Sequence, residues 1–161
     1  MYIVFGNEII DSSEIKDIIE NNSDFNVEKD LTKGSKREDT LAYQISIDVA
    51  LLNEVIKESN INKEKILGAG VALHGIVNAK TGISIYSPYY DWKDKDIKKA
   101  LENELNLNVY VDNDVRAMAL GESWFGITKD MGNFVTLNIS NGIGAGIIIN
   151  NKPYYGVDFS A

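Results

Sequence analysis

The sequence predicts an α/β fold, and three observations carry that reading. There is a long amphipathic stretch at 37–59, a near-continuous apolar run at 66–73, and an alternation of helix-like and strand-like segments after it. Helices alternating with buried strands define the α/β class.

The elements follow in order. Tyr2–Phe5 and Glu8–Ile10 flank Gly6-Asn7, two residues that tolerate positive φ, so a short hairpin is expected at the start. Asp11-Ser12-Ser13 offers N-cap oxygens to a helix whose Ile15, Ile18 and Ile19 share a face and which ends near Asn21-Asn22. Residues 26–34 are polar and are assigned no element. From Arg37 to Ser59, Leu41, Ile45, Val49, Leu52 and Ile56 fall three or four apart and form one stripe of a long helix. Glu38 and Asp39 suit the positive end of its dipole. Ile66–Leu73 (ILGAGVAL) has the length and apolarity of a strand buried on both faces.

Ile83–Tyr86 reads as another short strand. Ile97, Ala100, Leu101 and Leu105 mark an amphipathic helix, with WKDKDIKK as its solvated, mixed-charge start. Val109–Val111 is a strand and Val115–Phe125 a helix, on whose buried face Trp124 is expected; Trp92 is also read as a packing residue. Phe134–Ile139 and Ile147–Ile149 are strands about a glycine-rich bend, and Asn150-Asn151 is a turn before Pro153-Tyr154-Tyr155. No repeat, low-complexity tract or linker interrupts the chain, so residues 1–161 read as a single domain.

Composition narrows the function. The net charge is −8, whereas a phosphate backbone is bound by a basic face, so no direct nucleic-acid contact by this segment is expected. With no cysteine there is neither a disulfide nor a thiolate metal site, and one histidine, His74, cannot build a multi-histidine site; no metal is expected. No apolar run reaches the ~20 residues of a membrane span, and no signal peptide opens the chain, so a cytoplasmic location is expected.

Two places carry chemistry. Asp112, Asn113 and Asp114 stand where a strand meets a helix. One reading is capping, in which Asn113 or Asp112 accepts an N–H of the first turn. The other is binding: Asp114 accepts a proton from a hydroxyl while Asn113 offers donor and acceptor to a polyol. Both hold if one residue caps and another binds. Arg116 has Glu122 or Asp112 as partners. The second place is NISNGIGAGIII at 138–149. Glycines admit backbone N–H groups close to phosphate oxygens, but a dinucleotide fingerprint needs a helix next and a strand follows here. A plain hairpin turn at Asn141-Gly142 explains the stretch equally.

Several stretches together resemble the ROK family of repressors, open reading frames and sugar kinases: GAGVALHGIVNAKTG at 68–82, ISIYSPYYDW at 83–92, VDNDVRAMALGESWFG at 111–126 and NFVTLNISNGIGAGIIINNKPYYG at 133–156. The resemblance runs from about Gly68 to Ala161. It implies an actin-like, ribonuclease-H-like lobe, a mixed sheet flanked by helices, with Asp114 at a strand end facing a cleft. It implies sugar contacts from Gly75, Ser87, Asn113 and Asp114, a phosphate-loop-like turn at Gly142, Gly144 and Gly146, and Asp114 as the base if the protein is a kinase.

The departures point away from catalysis. The first strand reads YIVFGNEIID, without the Asp-x-Gly-x-Thr of the family's kinases, and His74 replaces the proline before Gly75. His74 is read as a hydrogen-bonded scaffold residue, and Tyr89-Tyr90 as surface packing that could edge a sugar pocket. The chain ends at GVDFSA, before the family's Gly-Glu-x-Gly-His grip and zinc motif, and begins without a helix-turn-helix. The expectation is the first lobe of the sugar-sensing region of a ROK transcriptional regulator, with no DNA-binding domain present. The ligand is a monosaccharide or a derivative, no cofactor is expected in this chain, and homodimerisation is left open. The alternatives are a fragment of an ATP- and Mg-dependent hexose kinase, or a ligand-free scaffold or dimerisation module.

Overall fold

The computed structural model describes residues 2–5, 8–9, 37–139 and 142–161. The expected turn at Gly6-Asn7, the helix after Asp11-Ser12-Ser13, the polar stretch 26–34 and Asn141 lie outside the described residues.

The described elements are β1 (Tyr2–Phe5), β2 (Glu8–Ile9), α1 (Arg37–Glu58), a 3-10 turn at Lys63–Lys65, β3 (Gly68–Leu73), β4 (Ile76–Asn78), β5 (Ile83–Ser87), β6 (Trp92–Asp96), α2 (Ile97–Leu105), β7 (Val109–Asn113), α3 (Asp114–Phe125), β8 (Phe134–Ile139), β9 (Ile143–Ile149) and β10 (Lys152–Pro153). They form one sheet in the order β2-β1-β3-β7, a second in the order β4-β5-β6 and a third in the order β10-β9-β8.

The chain divides into two compact units, Met1–Gly70 with Lys99–Val109, and Val71–Lys98 with Tyr110–Ala161. In the first, β1 pairs antiparallel with β2 (Val4 with Ile9) and with the start of β3 (Tyr2 with Gly70). Its core holds Ile45, Leu52 and Val55 of α1, Ile66, Ala69, Leu101, Leu105 and Val109. Leu52, Leu101 and Leu105 are fully buried, as the helical stripes in the sequence require. Asn62 caps the 3-10 turn by accepting the Glu64 N–H at 3.0 Å, which delays β3 to Gly68.

The second unit contains two antiparallel three-stranded sheets and α3. In the β4-β5-β6 sheet, β6 falls where the sequence predicts a helix start, so that expectation is corrected: WKDKD is an edge strand and the helix begins at Ile97. Trp92 is buried opposite Ser87, while Lys93, Asp94 and Asp96 are exposed. Charged side chains on an edge strand block further pairing, which is why the segment reads as a solvated helix from composition alone.

In the third sheet, β9 is longer than the sequence implies, running back through Gly146 and Gly144 to Ile143. Thr136 pairs with Gly146 and Asn138 with Gly144 on the face that meets α3, and Val135, Leu137 and Ile139 face solvent in this chain. The helix α3 buries Val115, Arg116 and Ala119. Trp124, expected on the buried face, is 64% exposed. It follows Val115 by nine residues, about two and a half turns, and so lies on the opposite side of the helix.

Candidate functional site

The site is assembled at the junction of β7 and α3, all within the second unit, and each member of the Asp-Asn-Asp triplet has a different task. Asn113 is the N-cap of α3, with extended backbone (φ −68°, ψ 142°). Its Oδ1 accepts the N–H groups of Val115 at 3.0 Å and Arg116 at 3.1 Å. Its Nδ2 donates to the Gly75 carbonyl and to Asp114 Oδ1, both at 3.0 Å. An amide side chain has two donors and two acceptor lone pairs, so Asn113 is fully engaged by the protein. It ties the end of β7 to the β3–β4 turn.

Asp112 looks the other way. Its Oδ1 accepts the Asn113 N–H at 2.7 Å and the Arg116 Nε–H at 2.8 Å. Arg116 is 2% exposed and binds on every side: Nη1 donates to the carbonyls of Phe159 and Ala161, and Nη2 to that of Val77, each at 2.8 Å. Its guanidinium lies 5.0 Å from the centre of the Tyr155 ring. Burial pushes the Tyr155 hydroxyl above the ordinary tyrosine value of 10.0; the Asp112 charge and hydrogen bond add to this, and Arg116 opposes it. The sequence offers Asp112 and Glu122 as partners for Arg116, and Asp112 is the one used. The burial of Arg116 is not among the expectations from the sequence. Asp112 lies in β7 and Arg116 in the first turn of α3, so the strand–helix turn, and not a helical repeat, brings the pair together.

That leaves Asp114. As the first residue of α3 its carboxylate sits at a helix N-terminus, where negative charge is favoured. Oδ1 accepts from Val115 N–H at 2.9 Å and from Asn113 Nδ2. Among the described residues Oδ2 has no hydrogen-bond partner, and the residue is half-buried. One oxygen is fixed and the other available, an arrangement that suits accepting a hydroxyl proton.

Gly75 and Ser87 complete the cluster. Gly75 has φ +100°, and a Cβ there would stand 2.3 Å from the Tyr86 carbonyl oxygen and 2.9 Å from Ser87 Cα. Only glycine allows β5 this close, and the same glycine presents its carbonyl to Asn113. Ser87 is 1% exposed, and its Oγ lies 3.4 Å from His74 Nδ1. The structure thus brings Gly75, Ser87, Asn113 and Asp114 into one linked set.

The glycine strand meets the same helix. A Cβ at Gly144 would fall 2.6 Å from Val115 Cγ2, and one at Gly146 would fall 2.4 Å from the Val115 carbonyl oxygen and 2.6 Å from Ala119 Cβ. These glycines admit the first turns of α3, the residues directly after Asp114. Gly142 has nothing within 4 Å of its Cβ position and is exposed. Of the three, only Gly142 has open space for an incoming group. Among the described residues no group of three or more His, Cys, Asp or Glu could hold a metal ion, and no helix is long and apolar enough to cross a membrane.

Known proteins resemble this chain in sequence and in fold. The sequence model of the ROK family matches residues 44–160. A xylose repressor of Caldicellulosiruptor bescii is 34% identical over 106 residues, covering 66% of this chain and 27% of the repressor. Among solved structures, a ROK family transcriptional regulator described as a homolog of the E. coli MLC protein superposes with a TM-score of 0.65 at 28% identity, over 74% of this chain and 29% of that one. A ROK family glucokinase from Streptomyces griseus, in complex with glucose and AMPPNP, superposes with a TM-score of 0.61 at 27% identity, over 70% and 36%. This chain therefore spans about a quarter of the length of the curated repressor it matches. These likenesses bear out the α/β, actin-like fold expected from the sequence. With the family model matching well over half of its residues, the chain belongs to the ROK family.

Proposed function

We propose that this chain is part of the sugar-sensing region of a ROK transcriptional regulator, and that Gly75, Ser87, Asn113 and Asp114 form one side of a monosaccharide site. The observation that carries the reading is the division of labour at the junction. Asp112 is taken by Arg116 and Asn113 by the helix cap and Gly75, whereas Asp114 keeps Oδ2 for an outside donor. Under this reading Asn113 orients Asp114 and Gly75, and Asp114 makes the direct hydrogen bond to a ring hydroxyl. The repressor relatives support a sensor, and their name, xylose repressor, directs attention first to xylose. In a sensor, the sugar acts by binding one of two conformations more tightly, and its effect on operator DNA is limited by that difference.

The test is calorimetric titration with D-xylose, D-glucose and D-mannose, for the unaltered chain and for Asp114→Asn. The neutral amide keeps the size of the side chain and removes the charge. A hydrogen bond to a charged group contributes about 1.5–3 kcal/mol, so the variant should bind at least tenfold more weakly. Equal affinity in the two proteins overturns the role given to Asp114, and absence of saturable binding overturns the sugar site.

A second reading is favoured by the glucokinase relatives, one of them 33% identical over 97 residues. Here Asp114 would be the general base of a hexose kinase and the turn at Gly142 would meet phosphate. The chain itself would fix the acceptor hydroxyl and hold its proton on Oδ2, and ATP with Mg²⁺ would supply the phosphoryl group. The repressor matches a larger share of this chain than this glucokinase does, 66% against 60%, which ranks this reading second. Sugar-dependent ATP turnover that disappears in Asp114→Asn would reverse the order.

A further inference from the structure

His74 stands where the resemblance leads one to expect proline, and it is the only histidine in the chain. It is exposed, and its imidazole is held on two sides. Nδ1 lies 3.4 Å from the buried Ser87 Oγ. The ring meets Tyr89 edge to face with centroids 6.4 Å apart. Tyr89 is 77% exposed and packs edge-on against Tyr90 at 4.9 Å, which in turn stacks on the buried Trp92 at 4.4 Å. Among the described residues Nε2 has no hydrogen-bond partner. The next residue, Gly75, gives its carbonyl to Asn113, which holds Asp114.

A plain structural role accounts poorly for this arrangement. A 3.4 Å contact made by an exposed ring is at the long limit of a hydrogen bond and adds little stability. Tyr89 is exposed but is backed by half-buried Tyr90 and buried Trp92, and a side chain already held by its neighbours loses little freedom when it meets a ligand. Binding sites for small polar molecules combine such aromatic walls with a few placed polar atoms.

We propose that His74 is a specificity-determining residue of the monosaccharide site: its Nε2 exchanges a hydrogen bond with one ring hydroxyl, and Tyr89 forms an aromatic wall beside that hydroxyl. The inference rests on the proposed function and adds a polar contact that the remaining cluster does not provide. Because the hydroxyl is read on one side, epimers at that carbon are bound unequally.

The experiment uses the only histidine as its own reporter. The imidazole carbon-bound proton signals of the 161-residue chain are followed by NMR as D-xylose, D-glucose or D-mannose is added, with affinities measured in parallel by calorimetry. The expected result is a saturable shift of the His74 signals with the calorimetric Kd. His74→Ala should lose about threefold to tenfold in affinity, the effect of one neutral hydrogen bond, and unequally among the three sugars. His74→Gln, whose amide reaches the Nε2 position, should recover most of the loss. Sugar binding that leaves the histidine signals unmoved, with His74→Ala at full affinity, overturns the role of His74 while the proposed function stands. Binding of none of the three sugars overturns both.

Discussion

Replacing Arg116 by methionine should be among the most damaging single changes in the second unit. The guanidinium is 2% exposed, and its partner Asp112 has a side chain only 17% exposed, so solvent screens the pair little. The change leaves the Asp112 carboxylate without its cation and removes the donors to the carbonyls of Val77, Phe159 and Ala161. Breaking a buried ion pair by removing one partner costs about 3–5 kcal/mol. Folded domains have only about 5–15 kcal/mol in total, so much of the stability is at stake. For a chain of this length each kcal/mol moves the melting temperature by roughly 2–4 °C. A fall of roughly 6–20 °C by circular dichroism is therefore expected, with a matching drop in the urea midpoint. A double-mutant cycle with Asp112→Asn isolates the pair and should give a coupling above about 1 kcal/mol, since contacting residues are not additive. A loss for Arg116→Met below about 1 kcal/mol, or full additivity in the cycle, would refute the assignment of Arg116 as the anchor of the β7–α3 junction.

Three further outcomes follow. Gly146→Ala, whose Cβ would meet the Val115 backbone at 2.4 Å, should cost about 1–3 kcal/mol by overpacking. Gly142→Ala, in open space, should stay within about 0.5 kcal/mol; denaturant melts of the two variants check the contrast. Asn113→Ala removes the cap of α3 and should cost about 0.5–2 kcal/mol, with an added loss of affinity because Asp114 and Gly75 are no longer fixed. The Tyr155 hydroxyl is raised above its ordinary 10.0, first by burial and then by Asp112. A raised folded pKa gives stability that is complete below the unfolded value and lost as pH climbs through the folded one. Stability should therefore fall above about pH 10, and Tyr155→Phe should flatten that alkaline fall; identical alkaline profiles would contradict the placement of this ring.

Much of this was written in local patterns. The stripe from Leu41 to Ile56 and the spacing of Ile97, Leu101 and Leu105 identify helices because burial on one face repeats every three or four residues. The Asp-Asn-Asp junction reads as capping, binding or both; the structure gives the cap to Asn113 and leaves Oδ2 of Asp114 without a hydrogen-bond partner among the described residues. Legibility ended where tertiary contacts decide. The strand β6 carries lysines and aspartates because it lies at a sheet edge, which no local period reveals. Gly144 and Gly146 admit α3, a contact set by packing across the unit. In β8 the half-buried face carries Thr136 and Asn138 while Val135, Leu137 and Ile139 are exposed, the reverse of what hydrophobicity alone predicts. Arg116 is buried by carbonyls from residues 77, 159 and 161, partners too distant in sequence to be read from its neighbours.

The most direct test of the central claim compares the unaltered chain with Asp114→Asn by isothermal titration with D-xylose, each protein first shown to melt at a similar temperature. Saturable uptake by the former, weakened at least tenfold by the loss of a single charge, is what the account predicts. Equal titration curves for two equally folded proteins would contradict it.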